Sequence, residues 1–215
     1  LVNMGQVAFT SLGEGYGLSE GNTCFGGAMG VISGKDWRNN NSDFINQIYL
    51  QGGGGPASAK SDGMNNLLIP VGAGLLYRDS IEVSEQKFPL IINTVELVKD
   101  SSGPGKFRGG LGTKVIFGPR KNKMTVSLLG GGKKYPPRGV LGGLDSKPSY
   151  NGIIKRDGSH QELEDAMMVE LLPGEFICSI DSGGSGYGKP LLRDPAKVLT
   201  DVKEGYISIE FASTV

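Results

Sequence analysis

Glycine occupies 36 of the 215 positions, about 17% where about 7% is usual, and no other feature constrains the fold so strongly. The glycines follow no three-residue period and stand between well-formed apolar segments, which excludes a collagen-like rod and a disordered low-complexity chain. They read as corners, positions of positive φ or of close backbone approach in a fold of short strands joined by elaborate loops. The densest is SSGPGKFRGGLG, residues 101–112, with five glycines, a proline and two cations in twelve residues.

Brief strands are expected at Val7-Ala8-Phe9 and Met29-Gly30-Val31-Ile32, and residues 52–63 form a glycine and small-residue loop too long for a simple hairpin. The second half of Phe88–Val98 is rich in β-branched residues and reads as a strand. SSGPGKFRGGLG then most simply connects it to Thr113–Phe117. Residues 118–123 read as a hairpin turn between Thr113–Phe117 and Met124–Leu129, and Pro173-Gly174 as another between Met167–Leu172 and Phe176–Ile180. The clearest helix lies near the end, with Asp194 as N-cap, Pro195 at the first helical position, Gly205 as the stop, and an apolar stripe of Val198, Leu199 and Val202. The expected class is α+β, strand-rich, with many glycine loops and few short helices. There is no internal repeat and no linker, so residues 1–215 are expected to form one compact region, with any sub-boundary near residue 50.

The 22 Lys and Arg balance the 22 Asp and Glu, so no global field attracts nucleic acid or an anionic membrane, and neither is expected as a partner. No apolar run reaches the ~18 residues of a membrane span, and the first residues lack a signal-peptide pattern. A cytoplasmic location is expected, with Cys24 and Cys178 as reduced thiols.

The spacing around Lys106 does not match a P-loop, and neither Gly103-Pro104-Gly105 nor Gly184-Ser185-Gly186 completes a dinucleotide fingerprint. Lys106 and Arg108 could hold an anion with help from the N–H groups of glycine turns. The plainer alternative has them bonding loop carbonyls or a carboxylate, and that reading weighs more. His160 is the single histidine, so no complete metal site and no Ser-His-Asp arrangement is expected; it reads as a loop residue. Cys178 reads as a buried strand position and Cys24 as structural. Glu82 and Glu85 could share a helical face for acid–base work, although solvated charge weighs more, and Asp181 could orient the glycine loop that follows it.

Several segments occur in an order that resembles the later part of the hydantoinase B and oxoprolinase family. They are Asp62-Gly63, the run from Ser80 to Leu90, SSGPGKFRGGLG, Pro136-Pro137-Arg138-Gly139 with Gly142-Gly143, Leu172-Pro173-Gly174-Glu175, and SGGSGYGKPLLRDPAKVLTDVKEGYIS from Ser182 to Ser208. The likeness runs from about residue 52 to the C-terminus. It implies the C-terminal portion of a B-type subunit that works with an A-type, ATP-binding partner in a hetero-oligomer, together with the remainder of the B subunit and a small-molecule substrate. It implies ATP-dependent ring opening of a cyclic amide or imide through a phosphorylated intermediate. The alternatives are an acetone or acetophenone type of ketone carboxylase and a non-catalytic assembly module; the Glu82 to Pro89 pattern leans toward the hydantoinase branch. ATP and Mg are expected on the partner, and any divalent metal on an upstream region without a match here. Lys106, Arg108 and Arg138 are the candidate contacts to substrate or phosphate, with no catalytic residue named.

Overall fold

The computed structural model describes residues 2–22, 27–67, 80–164 and 166–213. Cys24 lies outside the described residues. Among the described residues nine strands carry most of the regular structure: β1 (Val31–Asp36), β2 (Ser42–Gln47), β3 (Leu90–Leu97), β4 (Thr113–Pro119), β5 (Met124–Leu129), β6 (Tyr150–Ile154), β7 (His160–Glu162), β8 (Ala166–Leu171) and β9 (Phe176–Ile180). The helices are short: α1 (Val2–Ala8), α2 (Ile81–Lys87), α3 (Pro195–Lys203) and α4 (Ile209–Ala212). The fold is therefore α+β and strand-rich.

The strands form two antiparallel sheets, one ordered β2-β1-β5-β8 and the other β3-β4-β9-β6-β7. SSGPGKFRGGLG lies between β3 and β4, which pair with each other, so it does join two neighbouring strands. The two expected hairpins do not form. β4 and β5 lie in different sheets, as do β8 and β9, so residues 120–123 and 172–175 each carry the chain across from one sheet to the other. The reason is burial. Val115 and Phe117 of β4, Met124, Val126 and Leu128 of β5, Val169 and Leu171 of β8 and Ile177 of β9 all enter one apolar cluster with Ile32, Leu90 and Ile153. Strands on separate sheets can bring these faces together, whereas pairing them side by side would set them along one surface.

Alternation explains the individual strands. In β5, Met124, Val126 and Leu128 are buried while Thr125 and Ser127 are half-buried. In β9, Ile177, Cys178 and Ser179 are all buried, as suits the middle strand of its sheet. Ser80 caps α2 by accepting from the Val83 N–H at 3.1 Å. At its other end Arg38 donates from Nη1 to the Glu85 and Gln86 carbonyls at 3.0 and 3.1 Å, and from Nη2 to the Lys87 carbonyl at 3.1 Å.

Two further expectations change. Val7-Ala8-Phe9 lies in α1 and the 3₁₀ turn that follows it, because three consecutive apolar residues carry no period that separates strand from helix. His160 sits on β7, paired with Ile154 at the exposed edge of its sheet, rather than in a loop.

Candidate functional site

The glycine loops meet each other. Gly54 N donates to Ser182 O at 3.0 Å, Gly55 N to Met64 O at 2.8 Å, Gly110 N to Gly55 O at 2.9 Å, Gly184 N to Gly110 O at 2.9 Å and Gly103 N to Gly184 O at 2.8 Å. A Cβ on Gly54 would fall on Gly110 O and Gly184 N, and one on Gly110 would fall on Met64 O. None of Gly54, Gly110 and Gly184 has a left-handed φ. Close approach of main chains, with no room for a side chain, is what selects glycine at this junction.

The N–H groups of SSGPGKFRGGLG are largely consumed by this packing. Lys106 N donates to Gly188 O at 3.0 Å, Phe107 N to Tyr187 O at 3.1 Å, Gly109 N to Gly103 O at 3.0 Å, Leu111 N to Asn65 Oδ1 at 2.9 Å and Gly112 N to Ser101 Oγ at 3.0 Å. Arg108 N donates to Asp62 Oδ1 at 2.9 Å. The anion that this N–H reaches is one of the chain's own carboxylates.

Arg108 belongs to a charged clasp. Its Nε donates to Asp201 Oδ1 at 3.0 Å and its Nη1 to Gly109 O at 2.9 Å, with its guanidinium 5.0 Å from the centre of the Tyr206 ring. Arg193 completes the set, donating from Nη1 to Asp62 Oδ1 at 2.7 Å and from Nη2 to Asp62 Oδ2 at 3.0 Å and Asp201 Oδ2 at 2.7 Å. The side chains of Arg108, Arg193 and Asp201 are at most 10% exposed and that of Asp62 is 25% exposed, so two cations and two anions balance each other largely out of water. Burial works to raise the Asp62 pKa, but the hydrogen bonds and charge of Arg193, with the Arg108 N–H, outweigh it and hold the carboxyl below its usual value. Burial likewise opposes the Arg193 charge, and Asp62 and Asp201 more than offset it. A void of about 40 Å³ lined by Ser102, Arg108, Arg193 and Asp201 adjoins the clasp, room for a water and not for a ligand.

Asp194 caps α3 as expected, accepting from the Ala196 N–H at 2.9 Å, and Gly205 adopts φ +74°. The buried residue of α3 is nevertheless Asp201, while Leu199 of the apolar stripe is exposed. The clasp sets the helix orientation, and local patterning alone gave no sign of it. Its four charges fall within the segments that carry the family resemblance: Asp62-Gly63, SSGPGKFRGGLG and the run from Ser182 to Ser208.

Lys106 has a different setting. It is exposed and lines a cleft of about 320 Å³ with Glu14, Phe107, Leu141, Tyr187, Lys189 and Leu192. Arg138 is not among the lining residues; it is exposed, and its N–H donates to Glu20 Oε2 at 2.8 Å. The structure thus puts Lys106, Arg108 and Arg138 in three separate environments.

The remaining candidates are held structurally. Glu85 pairs with Arg120 at 2.6 Å and accepts from the Ile92 N–H at 2.8 Å. Ser185 Oγ is buried 2.6 Å from Arg138 O and 2.8 Å from Glu20 O. Asp181 is buried just beyond β9, its N–H donating to Thr113 O at 2.9 Å. Burial pushes the Cys178 thiol pKa up, the opposite of what a nucleophile requires. Among the described residues no three His, Cys, Asp or Glu side chains gather as a metal site, and no helix is long and apolar enough to cross a membrane.

A family model described as Hydantoinase B/oxoprolinase matches residues 17–190. The chain is 34% identical over 194 residues to the caprolactamase subunit beta of Pseudomonas jessenii, covering 87% of this chain and 33% of that one. It is 26% identical over 240 residues to the acetophenone carboxylase delta subunit of Aromatoleum aromaticum, covering 96% of this chain and 34% of that one. The crystal structure of the ATP-dependent caprolactamase from Pseudomonas jessenii superposes with a TM-score of 0.71 at 31% identity, covering 89% of this chain and 34% of that one. The chain therefore spans about a third of the length of these relatives. With the glycine junction and the clasp built from the same segments that carry the likeness, the chain belongs to the hydantoinase B/oxoprolinase family.

Proposed function

We propose that the chain forms part of the B-type subunit of an ATP-dependent complex that opens a cyclic amide or imide. The observation that carries this is the 34% identity to a caprolactamase subunit over 87% of the chain, against 26% to a carboxylase subunit. A ring amide resists water because resonance feeds nitrogen electron density into its carbonyl. Transfer of a phosphoryl group from ATP to the amide oxygen gives a better electrophile; water then adds to the carbon, the C–N bond breaks, nitrogen takes a proton, and phosphate leaves. In this reading the nucleotide and Mg are held by an A-type partner and any divalent metal by polypeptide beyond this chain. The described residues offer no cluster that fits a metal. This chain contributes Lys106, whose ammonium offsets negative charge on the reacting molecule, and a clasp that fixes the loop carrying it. Arg108 acts through that clasp, and Arg138 lies outside the cleft.

The likeness to the acetophenone carboxylase subunit runs over 96% of the chain, which supports a second reading as part of a ketone carboxylase. Assembly with an A-type subunit and the remaining B-type polypeptide separates the two. The first reading expects ADP release with caprolactam, hydantoin or 5-oxoproline and no bicarbonate; strict dependence on bicarbonate and a ketone would replace it with the second. Unchanged ATP-coupled turnover in an assembled Lys106→Met complex would remove Lys106 from the chemistry and favour an assembly role.

A further inference from the structure

We infer that the cleft between residues 106–107 and 187–189 binds a small organic anion, a carboxylate or a phosphate ester, through the ammonium groups of Lys106 and Lys189. The inference deepens the reading above, which already uses Lys106, and adds Lys189 and a ligand class.

The cleft is rigidly built. Phe107 and Tyr187 exchange main-chain hydrogen bonds at 3.1 and 2.9 Å, and Lys106 N donates to Gly188 O at 3.0 Å. Arg193 Nη1 also reaches Lys106 O at 3.3 Å, so the clasp holds this wall from behind. At another side, Tyr187 Oη accepts from the Gly15 N–H at 3.2 Å and donates to Tyr16 O at 2.9 Å. Gly188, at φ +70°, leaves the space against which the Lys106 stem lies; a Cβ there would stand 3.2 Å from Lys106 Cβ. The volume of about 320 Å³ falls at the lower end of small-molecule sites.

The charges are what identify the occupant. Lys35, Lys114, Lys123, Lys133 and Lys155 each reach a carboxylate within 3.3 Å; Lys106 and Lys189 make no ion pair among the described residues, and both line the same cleft. A wider groove of about 790 Å³ beside β1 and β2 holds Lys35 and Lys123 paired with Asp43 and Glu170, and Lys121 with its ammonium 4.9 Å from the centre of the Trp37 ring. Among the described residues that line the smaller cleft, Glu14 is the one acid against two lysines, and Lys197, outside that lining, holds its ammonium 5.1 Å from the centre of the Phe107 ring. Phe107, Leu141 and Leu192 supply apolar wall for a short carbon chain. Unpaired cations beside apolar surface suit an anionic head on an organic body.

The test uses the 215-residue chain alone, with amide NMR shifts followed during separate titrations with inorganic phosphate and with hexanoate. Saturable shifts at Lys106, Gly142 and Gly188 are expected, with affinity falling as salt rises. The Lys106→Met, Lys189→Met pair should weaken binding about tenfold or more, while Lys114→Met, which breaks the pair with Glu96, should leave it within about twofold. Lys189→Gln alone, which leaves the 106–188 main-chain bond intact, serves as a second variant and should also weaken binding. Saturation by both probes, or by one of them, supports the site and identifies the head group. Linear shifts with both probes, or equal affinity in the natively dispersed lysine variants, overturn it. Anion binding here without ring opening by the complex would overturn the reaction alone; ring opening without binding here would overturn the cleft alone.

Discussion

Arg193 grips Asp62 with both guanidinium nitrogens, Nη1 to Oδ1 at 2.7 Å and Nη2 to Oδ2 at 3.0 Å, across 131 residues of chain. Nη2 also holds Asp201 at 2.7 Å. Removing the cation would leave two carboxylates facing each other with only Arg108 to offset them. Arg193→Met should therefore lower unfolding free energy by about 3 kcal/mol, read from urea denaturation.

The same pair sets a pH dependence. The folded Asp62 pKa is depressed, so its contribution to stability is complete above the unfolded value of about 4 and is lost as pH falls through the folded value. Asp36, whose first cause is the Arg38 hydrogen bond, and Glu175, whose first cause is the Leu172 N–H, shift in the same direction. Stability should thus fall on acidification below about pH 4, and Asp62→Asn should flatten part of that limb while lowering the neutral plateau. A parallel acid limb in the variant would show that Asp62 is not one of its causes.

Glycine substitutions should divide by cause. Gly110→Ala sets a methyl on Met64 O and 2.7 Å from Gly55 N, both main-chain atoms that cannot step aside; a loss above about 3 kcal/mol or failure to fold is expected. Gly158→Ala meets nothing within 4 Å and carries only the strain of φ +81°, so about 1 to 2 kcal/mol is expected. Denaturation midpoints of the two variants give the comparison.

Cys178 should be chemically quiet. With the residue 5% exposed and its thiol pKa raised by burial, alkylation in a Cys24→Ser background should be slow at pH 8 and accelerate sharply in denaturant. Native-state labelling as fast as that of a free thiol would contradict the buried placement on β9.

Local grammar carried part of this structure into the sequence. Asp194, Pro195 and Gly205 mark α3 because capping chemistry acts within a few residues, and alternation marks β4 and β5 because one face of each is buried. α2 is concealed: Ser80 caps it, but Ile81 and Val83 are β-branched and lead into the β3 run. The clasp is concealed for another reason. Asp62, Arg108, Arg193 and Asp201 stand up to 139 residues apart in the sequence, and no spacing rule links charges at such separations. Whether a glycine serves positive φ, as at Gly188, or close approach, as at Gly110, also depends on what lies opposite it in space.

The turns that switch sheets bear on how the chain reaches this state. Residues 120–123 and 172–175 are short, yet neither can zip its flanking strands together, because those strands bond to others far along the chain: β4 to β9, β5 to β8 and β1 to β5. Loop-closure entropy is thus spent before most ladders form, so the two sheets should nucleate jointly and slowly, in milliseconds to seconds rather than microseconds.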